Sequence, residues 1–213
     1  DLAEYAPFST ALGRTKNSLI GKIGFVLRLL FSRRPPWPRL RAALKKKPDS
    51  PLRTWYWSQT PYALGPLEVK FALRPDLTLS AKPPSCRSKD RLREAVHFQL
   101  SNSEARFDFL VQTRTDPETM PIEDASVEWD ASRAPFQKVA TVRIPAQEFD
   151  FPAMWDFAEN LSFTPWHSLE AHRPLGGINR ARRVVYETLS ARRHACNGQP
   201  RREPRPEEVP SHG

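Results

Sequence analysis

The sequence predicts an α+β chain built around an antiparallel sheet. Apolar and polar residues alternate over 67–73, 106–113 and 138–144, the period of half-buried strands. Residues 18–31 repeat their apolar positions every three or four residues, the period of an amphipathic helix. Proline stands at 22 against 8 glycines in 213 residues, roughly double its usual ~5% share, which excludes a long-helix bundle. With 39% apolar and 27% charged residues, the chain is neither collagen-like nor wholly disordered. Its length suits one or two domains.

Each element has its own signal. In 18–31, Leu19, Ile20, Ile23, Val26, Leu27, Leu30 and Phe31 form the stripe and basic residues fall between them. Pro35-Pro36-Trp37-Pro38 ends that helix, because proline lacks the amide donor and restricts its predecessor. A short basic helix follows over 39–47. From Thr54 strands take over: Trp55-Tyr56-Trp57, then 67–73, where Leu67, Val69, Phe71 and Leu73 alternate with Glu68, Lys70 and Ala72. A Pro/Ser/Lys loop over 79–88 precedes a helix over 90–100. In 106–113 Phe107, Phe109 and Val111 face one way and Asp108, Leu110 and Gln112 the other. A short helix at 152–160 carries proline in its first turn, and Phe163-Thr164-Pro165-Trp166-His167 is an irregular turn. Residues 178–193, rich in Ala, Arg, Leu and Glu without proline, form the last helix. Four prolines and six charges in 198–213 predict disorder. The expected organisation is a basic helical connecting segment (1–50), a body (51–195) and a disordered tail (196–213).

Charge is unevenly placed. Residues 1–50 hold eleven Lys/Arg against three acids, a net +8 of the total +9, so a basic leader joins a nearly neutral body. That leader fits either a solvated connecting helix or an anionic membrane surface, and the connecting helix is preferred. Nucleic acid ranks last, because no reading motif accompanies the charge. The run 19–31 is too short and too charged to span a bilayer, and no secretory signal is visible, which points to the cytoplasm. The chain opens on Asp1 and its methionines are Met120 and Met154, so it reads as a processed product or a fragment. Cys86 and Cys196 make no disulfide framework.

The sharpest chemical feature is Arg182 with Tyr186, four residues apart on one helical face. A guanidinium hydrogen-bonded to a phenolic oxygen favours the phenolate, an anionic ligand suited to ferric iron. Other candidates are weaker. The acids Asp108, Asp116, Glu123, Asp124, Glu128 and Asp130 fit no cation-loop spacing. Pro174 interrupts the helix that a His167/His172 metal pair would need, and Gly176-Gly177 lacks the setting of a phosphate loop.

Context gives Arg182 and Tyr186 a meaning. Phe163-Thr164-Pro165-Trp166-His167 with His172-Arg173-Pro174-Leu175-Gly176-Gly177-Ile178-Asn179-Arg180-Ala181-Arg182-Arg183-Val184-Val185-Tyr186 resembles the proximal haem helix of bacterial catalase-like haem proteins. Trp55-Tyr56-Trp57-Ser58-Gln59-Thr60-Pro61-Tyr62, with Gly65 and Lys70, resembles a strand entry of that family. Arg114-Thr115-Asp116 and Met120-Pro121-Ile122-Glu123-Asp124-Ala125-Ser126-Val127-Glu128-Trp129 resemble its loop between barrel strands. The resemblance implies part of an antiparallel catalase-like β-barrel with flanking helices. It implies haem b as cofactor, with Tyr186 as the iron ligand, Arg182 as its partner and Arg193 facing a haem propionate. Glu187-Thr188-Leu189-Ser190 replaces the run that follows the tyrosine in true catalases, so the likeness is to a shorter, divergent branch.

The implied activity is decomposition of hydrogen peroxide or an organic hydroperoxide. None of His97, His167, His172, His194 and His212 matches the family's distal acid–base histidine, so the distal half is expected to be missing from this chain. Hydroperoxide rearrangement is the enzymatic alternative, and a non-catalytic haem-family remnant or a membrane-surface protein the non-enzymatic one. A second copy of the chain stays open as a partner.

Overall fold

The computed structural model describes residues 48–78, 82–84 and 88–211. The expected helices at 18–31 and 39–47, and His212, lie outside them. The chain divides into two units, Asp1–Pro48 and Asp49–Gly213, and the fold described is that of the second.

Five strands, β1 (Tyr56–Trp57), β2 (Tyr62–Leu64), β3 (Leu67–Pro75), β4 (Ala105–Thr113) and β5 (Gln137–Ile144), form one antiparallel sheet. β4 lies between β3 and β5, and β1 and β2 pair with successive stretches of the other edge of β3. Between those two short strands the pairing lapses for a local reason. Ser58 still donates its amide to the Phe71 carbonyl at 2.9 Å. Gln59 then takes φ 58° and Pro61 has no amide to give, so regular pairing resumes only at Tyr62. Gly65, at φ 58°, supplies the positive φ that the tight turn from β2 into β3 requires.

The β3–β4 register runs unbroken from Val69 opposite Thr113 to Pro75 opposite Phe107. The expected half-buried pattern is not met, because Lys70, Ala72, Leu110 and Gln112 on the second face are buried as well. Against β4, the register of β5 slips: Phe109 faces Ala140 but Leu110 faces Lys138, so Val139 is an extra residue. All of β5 but Ile144 is exposed. Among the described residues no strand pairs with its outer edge, so the sheet is not closed into a barrel. The expected barrel segment is an open sheet.

Both faces of the β3–β4 pair are covered. On one, α1 (Arg91–Asn102) brings Leu100 and Val96 onto Phe107, Ala105 and Leu73, with Leu52 and Phe149 completing the cluster. Buried Gln99 on this helix accepts a hydrogen bond from the Ser50 hydroxyl. On the other face the loop 114–136 folds back and buries Met120, Trp129 and Ala134. Gln112, fully buried, donates to the carbonyls of Trp129 and Ala134 at 3.1 and 2.9 Å, which satisfies its amide. Lys70 donates to the Val127 carbonyl at 3.2 Å and stands 4.8 Å from the Trp129 ring centre. Burial lowers the pKa of Lys70, and the carboxylates of Glu128 and Asp124 pull the other way.

Two helices remain: α2 (Pro152–Glu159) and α3 (Gly177–Asn197). α3 runs four residues past its expected end and stops at Gly198, which takes the left-handed conformation at φ 63°. In the tail, Pro206–Glu208 form one 3-10 turn, with Glu208 accepting from Arg202 at 2.8 Å. No helix among the described residues is long and apolar enough to cross a membrane.

Candidate functional site

α3 carries the site, and its start is fixed from two sides. The segment leading into it runs along the free edge of β2: Ala63 donates to the Arg173 carbonyl and Gly65 to the Ala171 carbonyl, both at 2.9 Å. From the opposite direction the loop after β4 supplies Glu123. Its carboxylate accepts the Gly177 amide at 2.8 Å and both terminal nitrogens of Arg180 at 3.0 and 3.1 Å. No side chain of the helix caps its own N-terminus, so Glu123 provides the negative charge that a helix start favours. The Arg180 hydrogen bond, and then the Gly177 amide, hold the Glu123 carboxyl below its ordinary range. Gly176 sits against this loop at φ 82°, where a Cβ would lie 2.6 Å from the Ile122 carbonyl oxygen. Only glycine fits there.

Along one face of the helix stand Asn179, Arg182, Tyr186, Ser190 and Arg193, at steps of three and four residues. Arg182 donates through Nη2 to the Tyr186 hydroxyl at 3.1 Å, and its guanidinium carbon lies 5.2 Å from the Tyr186 ring centre. Nη1 points back to Asn179 Oδ1 at 3.2 Å and to the Tyr62 hydroxyl at 3.4 Å. The pKa of Arg182 is raised. Burial, the largest single influence, lowers it, but the bond to Tyr186 and the charges of Tyr62 and Tyr186 together outweigh that penalty.

Beside this pair opens a cavity of about 400 Å³, a size within the range of small-molecule sites. Tyr62, Arg182 and Tyr186 line it together with Ser162, Phe163, Pro165 and His167. Tyr186 is 37% exposed, and along the same helix Val185 and Leu189 are exposed apolar side chains. Phe163, at the cavity, is 76% exposed. A phenolic oxygen backed by a guanidinium at an open cavity matches the donor set of a tyrosine-ligated haem.

The sequence-predicted residues therefore divide. Arg182 and Tyr186 are brought together. Arg193, two turns further, donates through Nη2 to the Leu161 carbonyl and lies 3.5 Å from Ser162 Oγ, while its Nε is buried without a partner. It borders the cavity only through Ser162. His194 is buried and hydrogen-bonded to Ser162 at 2.8 Å, and His97, on α1, pairs with Glu148. His167 lines the cavity, 3.6 Å from Glu203. Two participants had no visible signal of their own. Tyr62 reaches Arg182 across 120 positions, and Asn179 is recognisable only as the residue one turn before Arg182.

No known protein-family profile matches the chain, and no curated protein matches it in sequence. Among solved structures it is similar to the crystal structure of a fungal catalase, with a TM-score of 0.58 and 16% identity. The match covers 71% of this chain and 33% of that catalase, so the chain spans about a third of its length. At that identity the likeness establishes a distantly catalase-like fold.

Proposed function

We propose that this chain is a cytoplasmic, catalase-like haem protein in which the Tyr186 phenolate binds the iron of haem b, and that hydrogen peroxide or an organic hydroperoxide is the substrate. One observation carries the reading: Arg182 donates to the Tyr186 oxygen at 3.1 Å beside a cavity of about 400 Å³. When bound, ferric haem supplies the redox chemistry of peroxide decomposition. The chain's own residues do the rest from one side. Tyr186 presents its phenolic oxygen to the iron, and Arg182 donates to that oxygen and fixes its direction. Val185, Leu189 and Phe163 offer the apolar surface that a flat macrocycle covers. Arg193 meets a carboxylate substituent by exchanging its contact with the Leu161 carbonyl, a charge-assisted bond replacing a neutral one. We assign no histidine of this chain to the distal acid–base role, so peroxide turnover by these residues alone is slow.

The test is the absorbance spectrum of the protein loaded with ferric haem, compared with Tyr186→Phe. The unaltered protein should show a tyrosinate-ligated ferric spectrum, and the variant should lose it together with about a hundredfold or more of its haem affinity. A spectrum that survives the substitution overturns the ligand assignment, and fast peroxide turnover by the isolated chain overturns the exclusion of its histidines from the distal acid–base role.

A further inference from the structure

The polar centre nearest the Arg182–Tyr186 pair is Asn179, which no part of the haem reading uses. It is completely buried, and its side-chain amide is saturated. Nδ2 donates to the Pro61 carbonyl at 3.1 Å and to the Leu175 carbonyl at 2.8 Å. Oδ1 accepts from Thr60 Oγ1 at 3.2 Å and from Arg182 Nη1 at 3.2 Å. Its own backbone carbonyl accepts the Trp166 indole N–H at 2.7 Å. Five contacts thus come from four directions: the break between β1 and β2, the entry to α3, the turn before it, and Arg182.

A buried amide held on both donors leaves its oxygen no freedom to turn. Arg182, by contrast, is a half-buried residue with several rotatable bonds, and a guanidinium costs entropy to hold in one direction. With Nη1 fixed on Asn179 Oδ1, the planar fork has one remaining orientation in which Nη2 meets the phenol. The Tyr62 hydroxyl, at 3.4 Å from the same Nη1, is too long a contact to do this alone.

We infer that Asn179 is the positioning residue of this site, aiming the Arg182 guanidinium at the Tyr186 oxygen by clamping Nη1. The claim about Arg182 stands on the geometry of the chain itself, and only its consequence for an iron ligand rests on the haem reading. Asn179 touches neither cavity nor ligand, and acts through Arg182.

The experiment uses the full chain with Asn179→Leu, which keeps about the same volume but removes the Oδ1 acceptor, and with Asn179→Ser as a second, smaller variant. In the haem-free protein, ¹⁵N-labelled arginine NMR reports whether the Arg182 guanidinium is restrained. It should be slowly rotating in the unaltered chain and averaged in both variants, with Tyr62→Phe causing a smaller loss of restraint. An Arg182 signal that stays restrained in a folded Asn179 variant overturns the inference, whatever haem does. In the haem-loaded protein, the Asn179 variants should lower haem affinity about tenfold and weaken the tyrosinate-to-iron absorbance band. Both effects should vanish when Arg182→Ala is already present, because the action passes through that side chain. Effects of equal size with and without Arg182 mean a merely structural role and also overturn the inference. Failure of the haem reading looks different: Tyr186→Phe then leaves the spectrum unchanged while the haem-free NMR result stands.

Discussion

The two ends of α3 are built on opposite rules. At its start the Gly177 amide and the Arg180 side chain are held by Glu123, and Asn179 by Thr60, Pro61, Leu175 and Trp166. From Val184 onward apolar side chains face outward, with Val184, Val185 and Leu189 each more than half exposed. The first half reads as an anchor whose geometry is over-determined. The second is an apolar surface left exposed among the described residues. A single helix thus carries a rigid foot and an open shelf, with the Arg182–Tyr186 pair at the boundary.

Three changes break or sharpen that contrast. Gly176→Ala strikes the anchor hardest, since it adds a Cβ 2.6 Å from the Ile122 carbonyl at a positive φ. It should cost about 2–3 kcal/mol of unfolding free energy in denaturant titration. A loss within experimental error would mean that the foot is not rigid.

Acidification acts on the same foot more gently. The Glu123 carboxyl is held below its unfolded value by Arg180 and the Gly177 amide, so its contribution is present above the ordinary glutamate range and fades as pH falls through the lower folded value. Glu123→Gln should therefore flatten the acid limb of thermal stability, and because the pair is mostly exposed the effect should be small. If the acid limb is unchanged, some other carboxylate governs it.

Leu189→Ser tests the shelf and should be the mildest for the fold, within ~0.5 kcal/mol in the same titration. In haem titration it should still weaken binding by about threefold, through lost apolar contact. A large loss of stability would move Leu189 from the shelf into the core.

How much of this could be read from residues alone varies with the range of the interaction. The strands β3 and β4 were legible, though not the burial of both their faces, because side-chain direction follows from the pleat, and the Arg182–Tyr186 contact because helical spacing brings positions four apart together. The slip at Val139 was not legible, since it depends on which β4 carbonyl each β5 amide finds. Neither was the Glu123 cap, which joins residues 54 positions apart, nor the clamp on Asn179, whose partners Thr60 and Pro61 lie about 120 positions away. The expectation of a barrel came from family resemblance rather than from any strand's own pattern, and here the sheet ends at an exposed β5.

The lapse in pairing at Gln59–Pro61 has a consequence for anyone moving this chemistry elsewhere. Those residues surrender ladder bonds within the sheet and give their hydroxyl and carbonyl to the helix instead. A transplant of α3 onto a foreign scaffold would carry the phenol, the guanidinium and Asn179 but leave behind the groups that hold Asn179 in place. The smallest portable unit is the helix together with that defective stretch of strand.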